Sequence, residues 1–340
     1  MIRRFCSILA FVSATALAQS PAPTISAKPI APALSPADAE EAIKLLNANY
    51  VDPAALKNQS LNAATLEDFL TRLHGGAAIL PAKANAQIPV AFYSDIIAHQ
   101  IGYARLGTLN ADNLRAFDNA LANFETKKID ALVIDLRATP PTNDFGIAAE
   151  FAGRVVPKGK LLWRLRKANG PEQNITNERA PLFSGPTMVL FDTETAGPAE
   201  AIAAAIREGA HAVSIGQLTA GEAVAFTDFK LPGGKTFRLA TTVAIDAEGR
   251  ALFPGGVKPD LSVELAPAKK QQIFSLSAQR GESNFVFETG RPHFNEASLM
   301  AGTNPELEPA RKTKPEDNLH DTVLQRAVDV ITSIDIFAKH

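Results

Sequence analysis

The chain has 340 residues, of which 46% are hydrophobic and 21% are charged, and its formal net charge at pH 7 is −2. These values are typical of globular proteins and exclude a chain that is disordered throughout. No basic patch stands out, so we expect no nucleic-acid partner. The single cysteine, Cys6, excludes an intramolecular disulfide, and the six histidines lack metal-ligand spacing. We therefore expect no metal site and no other cofactor.

Residues 1–18 have the three parts of a secretory signal peptide. Two arginines precede a short apolar run, and the small-residue sequence Ala16-Leu17-Ala18 completes a cleavage site. The apolar run is too short to cross a bilayer, and no later segment is long enough, so we expect no membrane span. The pattern predicts export to the periplasm or the exterior. Residues 19–34 are rich in Pro and Ala and predict a linker.

Residues 35–98 predict an N-terminal helical region. Ser35 can cap a first helix, with Pro36 in its first turn and Asp38 completing a capping signature. A second apolar stripe predicts a helix over 65–74, which Gly75-Gly76 would end.

Residues 99–266 predict an α/β core, because strand and helix patterns alternate there. The predicted strands lie near 101–106, 131–135, 161–165, 189–191, 212–215, 236–245 and 261–265, and the helices start at Asn110 and lie near 145–152 and 199–208. Residues 267–316 lose periodicity and predict an irregular surface extension. Residues 317–340 return to a helical pattern with one apolar face.

Two segments carry the most specific signal. Val189–Glu200 reads as a buried strand, a turn and a helix start, and the second segment is Ile215-Gly216-Gln217-Leu218-Thr219-Ala220-Gly221-Glu222. Together they resemble the active-site frame of the tail-specific, or C-terminal-processing, serine proteases. That family has Ser-Ala-Ser-Ala-Ser-Glu before the helix and Gly-Glu-x-Thr-x-Gly-Lys in the second segment.

Shorter motifs extend this resemblance over about half of the chain, in family order: Ile101-Gly102-Tyr103, Ile134-Asp135-Leu136-Arg137, Leu231-Pro232-Gly233-Gly234, Gly255-Gly256-Val257-Lys258-Pro259-Asp260 and Leu324-Gln325-Arg326-Ala327. The resemblance implies the ββα spiral fold shared with the crotonase superfamily and ClpP. The family commonly inserts a PDZ domain after its N-terminal helices, and the stretch 75–98 is too short to contain one.

The residues that would carry the family's chemistry differ here. Gly197 stands where the resemblance places the nucleophilic serine, and it has no side chain with which to attack a carbonyl. Glu222 stands in place of the lysine base, and Phe226 in place of the glutamine that supports this lysine. The resemblance places the oxyanion loop at Pro141 and Thr142, where the proline has no N–H to donate.

Three hypotheses follow from these differences. The first is an exported pseudopeptidase that binds peptides or unfolded protein segments, in an oligomeric state that the sequence does not define. The second is an active peptidase with a displaced nucleophile, for which Thr195 is the best candidate. The third is a different enzyme on the same frame, with Glu200 and Glu222 as an acid–base pair.

Structural roles compete with these functional ones. Asp135 and Arg137 follow a buried strand and predict an ion pair. Glu200 lies in a first helical turn, where the helix dipole favours a carboxylate. Glu222 has the setting of a solvated loop acid.

Overall fold

The computed structural model describes residues 34–57, 61–62, 64–80, 88–286 and 319–338. The predicted signal peptide and nearly all of the predicted linker, residues 1–33, lie outside the described residues. The described residues from Ser35 onward belong to one compact unit. Within the described residues, no helix is both long and apolar enough to cross a membrane.

Eleven strands and eight α-helices are found in the described residues. The strands are β1 Ala77–Leu80, β2 Tyr93–Ile97, β3 Ile101–Arg105, β4 Ala131–Asp135, β5 Leu161–Lys167, β6 Gln173–Thr176, β7 Thr187–Phe191, β8 Val213–Gly216, β9 Val224–Lys230, β10 Thr236–Ile245 and β11 Leu261–Ser262. The helices are α1 Pro36–Asn49, α2 Leu66–Thr71, α3 Ala111–Thr126, α4 Phe145–Ala152, α5 Pro198–Gly209, α6 Pro267–Arg280, α7 Ser283–Val286 and α8 Thr322–Ala338, and a 3₁₀ turn spans Pro53–Leu56.

Six strands form a mostly parallel sheet in the order β11-β8-β7-β4-β3-β2. All neighbours in this sheet run parallel except β2, which pairs antiparallel with β3. The residues of β3, β4 and β7 are buried throughout and are mainly apolar, as expected for parallel strands covered on both faces. Because α5 follows the carboxyl end of β7, this edge of the sheet presents the turn that carries Gly197.

The remaining strands form an antiparallel sheet. Its order along one path is β1-β10-β5-β6. Strands β1 and β5 pair with successive parts of one edge of β10, and β9 pairs with the opposite edge of β10. The register of β9 on β10 shifts between Ala240 and Thr242 at a bulge. Strand β10 is therefore the centre of this sheet, and β9 forms one of its edges.

Two apolar cores flank the parallel sheet. One core joins α3, α4 and α5 to the antiparallel sheet, with Phe117, Phe151, Ile202 and Trp163 among its buried residues. The other core packs α6, α7 and α8 against the opposite face, with Phe285 and other apolar residues from these helices. The mixed α/β fold predicted for the core is confirmed, and the sheet carries helices on both faces.

Two predicted regions need correction. The region 35–98 is not purely helical, because β1 pairs with β10 and β2 pairs with β3. The predicted irregular extension is wrong for 267–286, where α6 and α7 form. The buried positions of α6 are Lys270, Ile273 and Ser277. Because two of these three residues are polar, the sequence of α6 lacks the apolar periodicity by which a helix is predicted. The rest of that extension, 287–316, lies outside the described residues.

Candidate functional site

Gly197 occupies the sharp turn between β7 and α5. Its backbone has φ 67° and ψ −138° and forms the N-cap of the helix, with Pro198 in the first turn. This conformation lies near a region that glycine alone adopts readily. In many hydrolases a strained strand-to-helix turn presents the nucleophile. The turn is therefore present here without a side chain.

The loop predicted to hold the oxyanion lies against this turn. A Cβ atom added to Gly197 would lie 3.3 Å from the Thr142 carbonyl oxygen, 3.8 Å from the Thr142 nitrogen and 3.8 Å from the Pro141 Cβ. The Thr142 Oγ1 is buried and has no hydrogen-bond partner among the described residues. The fold thus brings three of the sequence-predicted site residues together.

Glu200 joins this turn to the loop that carries Glu222. One carboxylate oxygen of Glu200 accepts hydrogen bonds from the backbone N–H groups of Gly197 at 3.1 Å and Glu222 at 2.7 Å. The other oxygen accepts from the Gly221 N–H at 2.8 Å and from the Thr219 hydroxyl at 2.5 Å. We call this set of four hydrogen bonds the Glu200 clasp.

The environment of Glu200 is more specific than a helix dipole alone. Burial raises the pKa of its carboxyl to about 7, although the four hydrogen bonds of the clasp act in the opposite direction. Both oxygens accept two hydrogen bonds each, so the carboxylate has little acceptor capacity left for a substrate proton. The residue therefore positions two loops.

Glu222 enters the site through its backbone, and its side chain is half-buried rather than fully solvated. A Cβ atom on Gly75 would lie 2.9 Å from Glu222 Oε1, and Gly75 has φ +80°. The carboxylate therefore lies against the turn that follows α2, where a glycine leaves it room.

Thr195 and Phe226 also lie near the site but have different surroundings. The Thr195 hydroxyl is buried, donates to Asp192 Oδ1 at 3.4 Å and accepts from the Asp192 N–H at 3.1 Å. It closes its own turn in this way. Phe226 lies in β9, with its ring centroid 5.8 Å from the Arg238 guanidinium carbon.

The chain is similar in sequence and in fold to known proteins. Residues 100–263 match the model for peptidase family S41. These residues form an S41 domain. The chain is 27% identical over 182 residues to carboxy-terminal processing protease CtpA of Bacillus subtilis, which covers 52% of this chain and 38% of that protein.

The chain is also similar to a second B. subtilis protein in sequence and to a solved structure in fold. Carboxy-terminal processing protease CtpB is 23% identical over 184 residues, covering 54% of this chain and 38% of CtpB. A solved protein from Parabacteroides merdae superposes with a TM-score of 0.53 at 16% identity, covering 70% of this chain and 93% of that one. The structural likeness supports the fold, and the chain spans less than half the length of the two B. subtilis relatives.

A buried ionic cluster behind the Gly197 turn joins residues of the S41 domain to Lys270 and Asp321, which lie outside it. The ion pair predicted for Asp135 and Arg137 is confirmed, with Arg137 Nη2 2.7 Å from Asp135 Oδ2 and 2.8 Å from Asp321 Oδ2. Lys270 Nζ donates to Asp192 at 2.5 Å, to Glu194 at 2.6 Å and to the Arg137 carbonyl at 3.1 Å. Sequence reasoning missed Lys270, because its segment was predicted to be irregular.

Three acids outside the site approach one another closely enough to hold a cation, namely Glu208, Asp246 and Glu248. Arg250 makes ion pairs with all three, at 2.8 to 2.9 Å. The guanidinium thus already supplies a positive charge to this cluster. No sequence pattern predicts this cluster, since Glu208 lies on α5 and the other two acids follow β10.

Proposed function

We propose that this S41 domain binds extended peptide segments without hydrolysing them. The observation that carries the proposal is Gly197, a residue without a side chain at the turn where the resemblance places the nucleophile. Covalent serine catalysis needs a hydroxyl beside a base. The turn, the adjoining loop and the helix are retained around a position that cannot attack.

The neighbouring positions support the same proposal. Glu222 replaces a cationic base with an acid, and Pro141 removes a backbone N–H from the loop beside Gly197. Removal of a single oxyanion donor typically lowers kcat by about 10²–10³-fold.

The two alternatives have weaker geometric support. A peptidase that used Thr195 would have to release its hydroxyl from the Asp192 turn. An acid–base pair of Glu200 and Glu222 would need Glu200 to exchange protons while four donors occupy its oxygens. Both proposals still predict activity that depends on a named residue, which makes them testable.

We also propose that the protein acts outside the cytoplasm. The support is the signal-peptide pattern of Met1–Ala18. Fusion of residues 1–34 to a reporter that is active only after export tests this placement, with Arg3 and Arg4 changed to Glu as the control.

The central experiment incubates the purified protein with β-casein, an unfolded substrate. We expect measurable binding by fluorescence anisotropy, no cleavage on gels, and no labelling by a fluorophosphonate probe. Cleavage by the wild type that is lost in Thr195→Ala or Glu222→Gln would contradict the proposal, as would a complete lack of casein binding. The triple variant with Gly197→Ser, Glu222→Lys and Pro141→Gly shows whether the three changes account for inactivity.

A further inference from the structure

Strand β9 has an outer edge directly beside the site. Among the described strands, β9 pairs only with β10. Its first residue lies two positions after Glu222, and Thr227, Asp228 and Lys230 are exposed. An edge strand presents backbone N–H and C=O groups that can pair with another extended chain.

The side chain of Asn143 occupies one position on this edge. Its Oδ1 accepts from the Phe226 N–H at 3.1 Å, and its Nδ2 donates to the Phe226 carbonyl at 3.3 Å. Two reciprocal hydrogen bonds with one residue are the pattern of an antiparallel strand pair. The primary amide of Asn143 therefore stands where the backbone of a paired peptide residue would stand.

The position of Asn143 connects this edge to the turn at Gly197. Asn143 directly follows Pro141 and Thr142, the two residues that adjoin a Cβ at Gly197. A peptide paired with β9 would consequently run toward the position of the absent nucleophile. The backbone N–H and C=O groups of successive strand residues point to opposite edges of the strand. Those of Asp228 and Lys230 therefore point to the same outer edge as those of Phe226.

We propose that the outer edge of β9 binds an extended peptide as an added strand, and that Asn143 covers the first pairing position until the peptide displaces it. This inference rests on the proposed function and specifies its binding surface. Main-chain hydrogen bonds would supply the affinity, as in other cases of strand addition. Asn143 is exposed and makes two neutral hydrogen bonds with Phe226, which a peptide backbone can replace one for one.

The first test removes the cover. Asn143→Ala should tighten the binding of fluorescent β-casein about threefold to tenfold, because the peptide no longer has to displace the amide. Asn119→Ala, an equivalent change on the exposed face of α3, is the matched control and should bind like the wild type.

The second test removes one pairing group of the edge. Asp228→Pro lacks the outward N–H, which an edge strand tolerates, while Asp228→Ala loses the same carboxylate and keeps the N–H. We expect casein affinity to fall at least fivefold in the proline variant relative to the alanine variant. Thermal unfolding of both variants checks that they remain folded, and hydrogen exchange at Phe226 and Asp228 should slow when casein binds.

The outcomes separate the two proposals. If the wild type binds casein while Asn143→Ala and Asp228→Pro bind like their controls, the β9 edge is wrong and peptide binding stands. If no variant binds casein and hydrogen exchange in β9 is unchanged, both proposals are wrong. A casein-independent dimer of Asn143→Ala in sedimentation, with unchanged casein affinity, would assign the edge to a second copy and overturn the peptide as its occupant.

Discussion

Two glycines with positive φ shape the site at the level of single residues. Gly197 has φ +67° at the start of α5, and Gly75 has φ +80° beside the Glu222 carboxylate. An L-residue at such a position is strained in addition to any contact that its Cβ makes. The backbone at Gly197 therefore has an energetic preference for glycine that is separate from catalysis.

We expect Gly197→Ala to lower the free energy of unfolding by about 1–3 kcal/mol, through backbone strain and the close approach to the Thr142 carbonyl. Urea titration of both proteins measures the difference. Gly170→Ala is the control, because Gly170 has no positive φ and its added Cβ would meet only the Lys167 Cβ at 3.6 Å. Equal losses in the two variants would show that the turn at Gly197 is not strained.

The Glu200 clasp makes a second prediction. Glu200→Gln replaces one accepting oxygen with an NH₂ group that faces backbone N–H donors, so we expect a loss of about 2–4 kcal/mol in the free energy of unfolding. Glu125→Gln on the exposed face of α3 should change it by no more than about 0.5 kcal/mol. A neutral result for Glu200→Gln would mean that the clasp does not hold the two loops.

The elements behind the site are held by buried ionic contacts. Helix α6 contributes Lys270 to the turn after β7, and Asp321, at the start of α8, pairs with Arg137. Asp321 Oδ1 also accepts from the N–H groups of Val323 and Leu324, and so caps α8. Helix α6 is therefore attached to the turn that carries Gly197, and α8 is attached to Arg137 in the segment that follows β4.

Arg137→Met should cost about 3–5 kcal/mol of unfolding free energy, since it leaves two buried carboxylates without their cation. Arg238→Met removes an ion pair with Asp228 whose two side chains are 39% and 44% exposed, and it should cost no more than about 1 kcal/mol. Chemical denaturation of the two variants side by side makes the comparison. Similar losses would contradict a buried ionic attachment of α8.

The sequence predicts elements well where their signals are local. Helix α4 and strand β10 have the bounds that the apolar pattern and the flanking turns predict, and the cap by Asn110 is confirmed at 2.8 Å. The signal fails for α6, whose buried face includes Lys270. It also fails for the clasp, because the partners of Glu200 lie in a separate loop and three of its four donors are backbone groups with no residue signature.

At the scale of the whole molecule, buried acids determine the dependence of stability on pH. Burial is the first cause that raises the pKa of Glu200, Glu208 and Glu282 to about 7 each. The folded protein thus holds protons that the unfolded chain releases above its ordinary carboxyl pKa of 4.5. The stabilising contribution of these groups is complete below that value and is lost as the pH rises through about 7.

We expect the free energy of unfolding to decrease between pH 5 and pH 8, and Glu282→Gln to reduce that slope. Glu282 Oε1 accepts from Arg105 at 3.3 Å, while its Oε2 is buried without a partner among the described residues. A neutral amide removes a pH-dependent contribution on the order of 3 kcal/mol. Urea titrations at several pH values measure the slope, and Glu67→Gln at an exposed position of α2 is the control. An unchanged slope would contradict the prediction.

The Glu200 clasp has a consequence for how this domain can change by mutation. Its acceptor is Glu200, and positions 197 and 222, where the resemblance places the serine and the lysine, contribute only backbone N–H groups to it. Backbone N–H groups are the same in glycine, serine, glutamate and lysine, so a change of side chain at 197 or 222 leaves these donors to Glu200 in place, and the cost of a side chain at 197 comes from its positive φ. Mutations at 197 and 222 can therefore change the chemical groups at the site without breaking the hydrogen bonds that hold its two loops together.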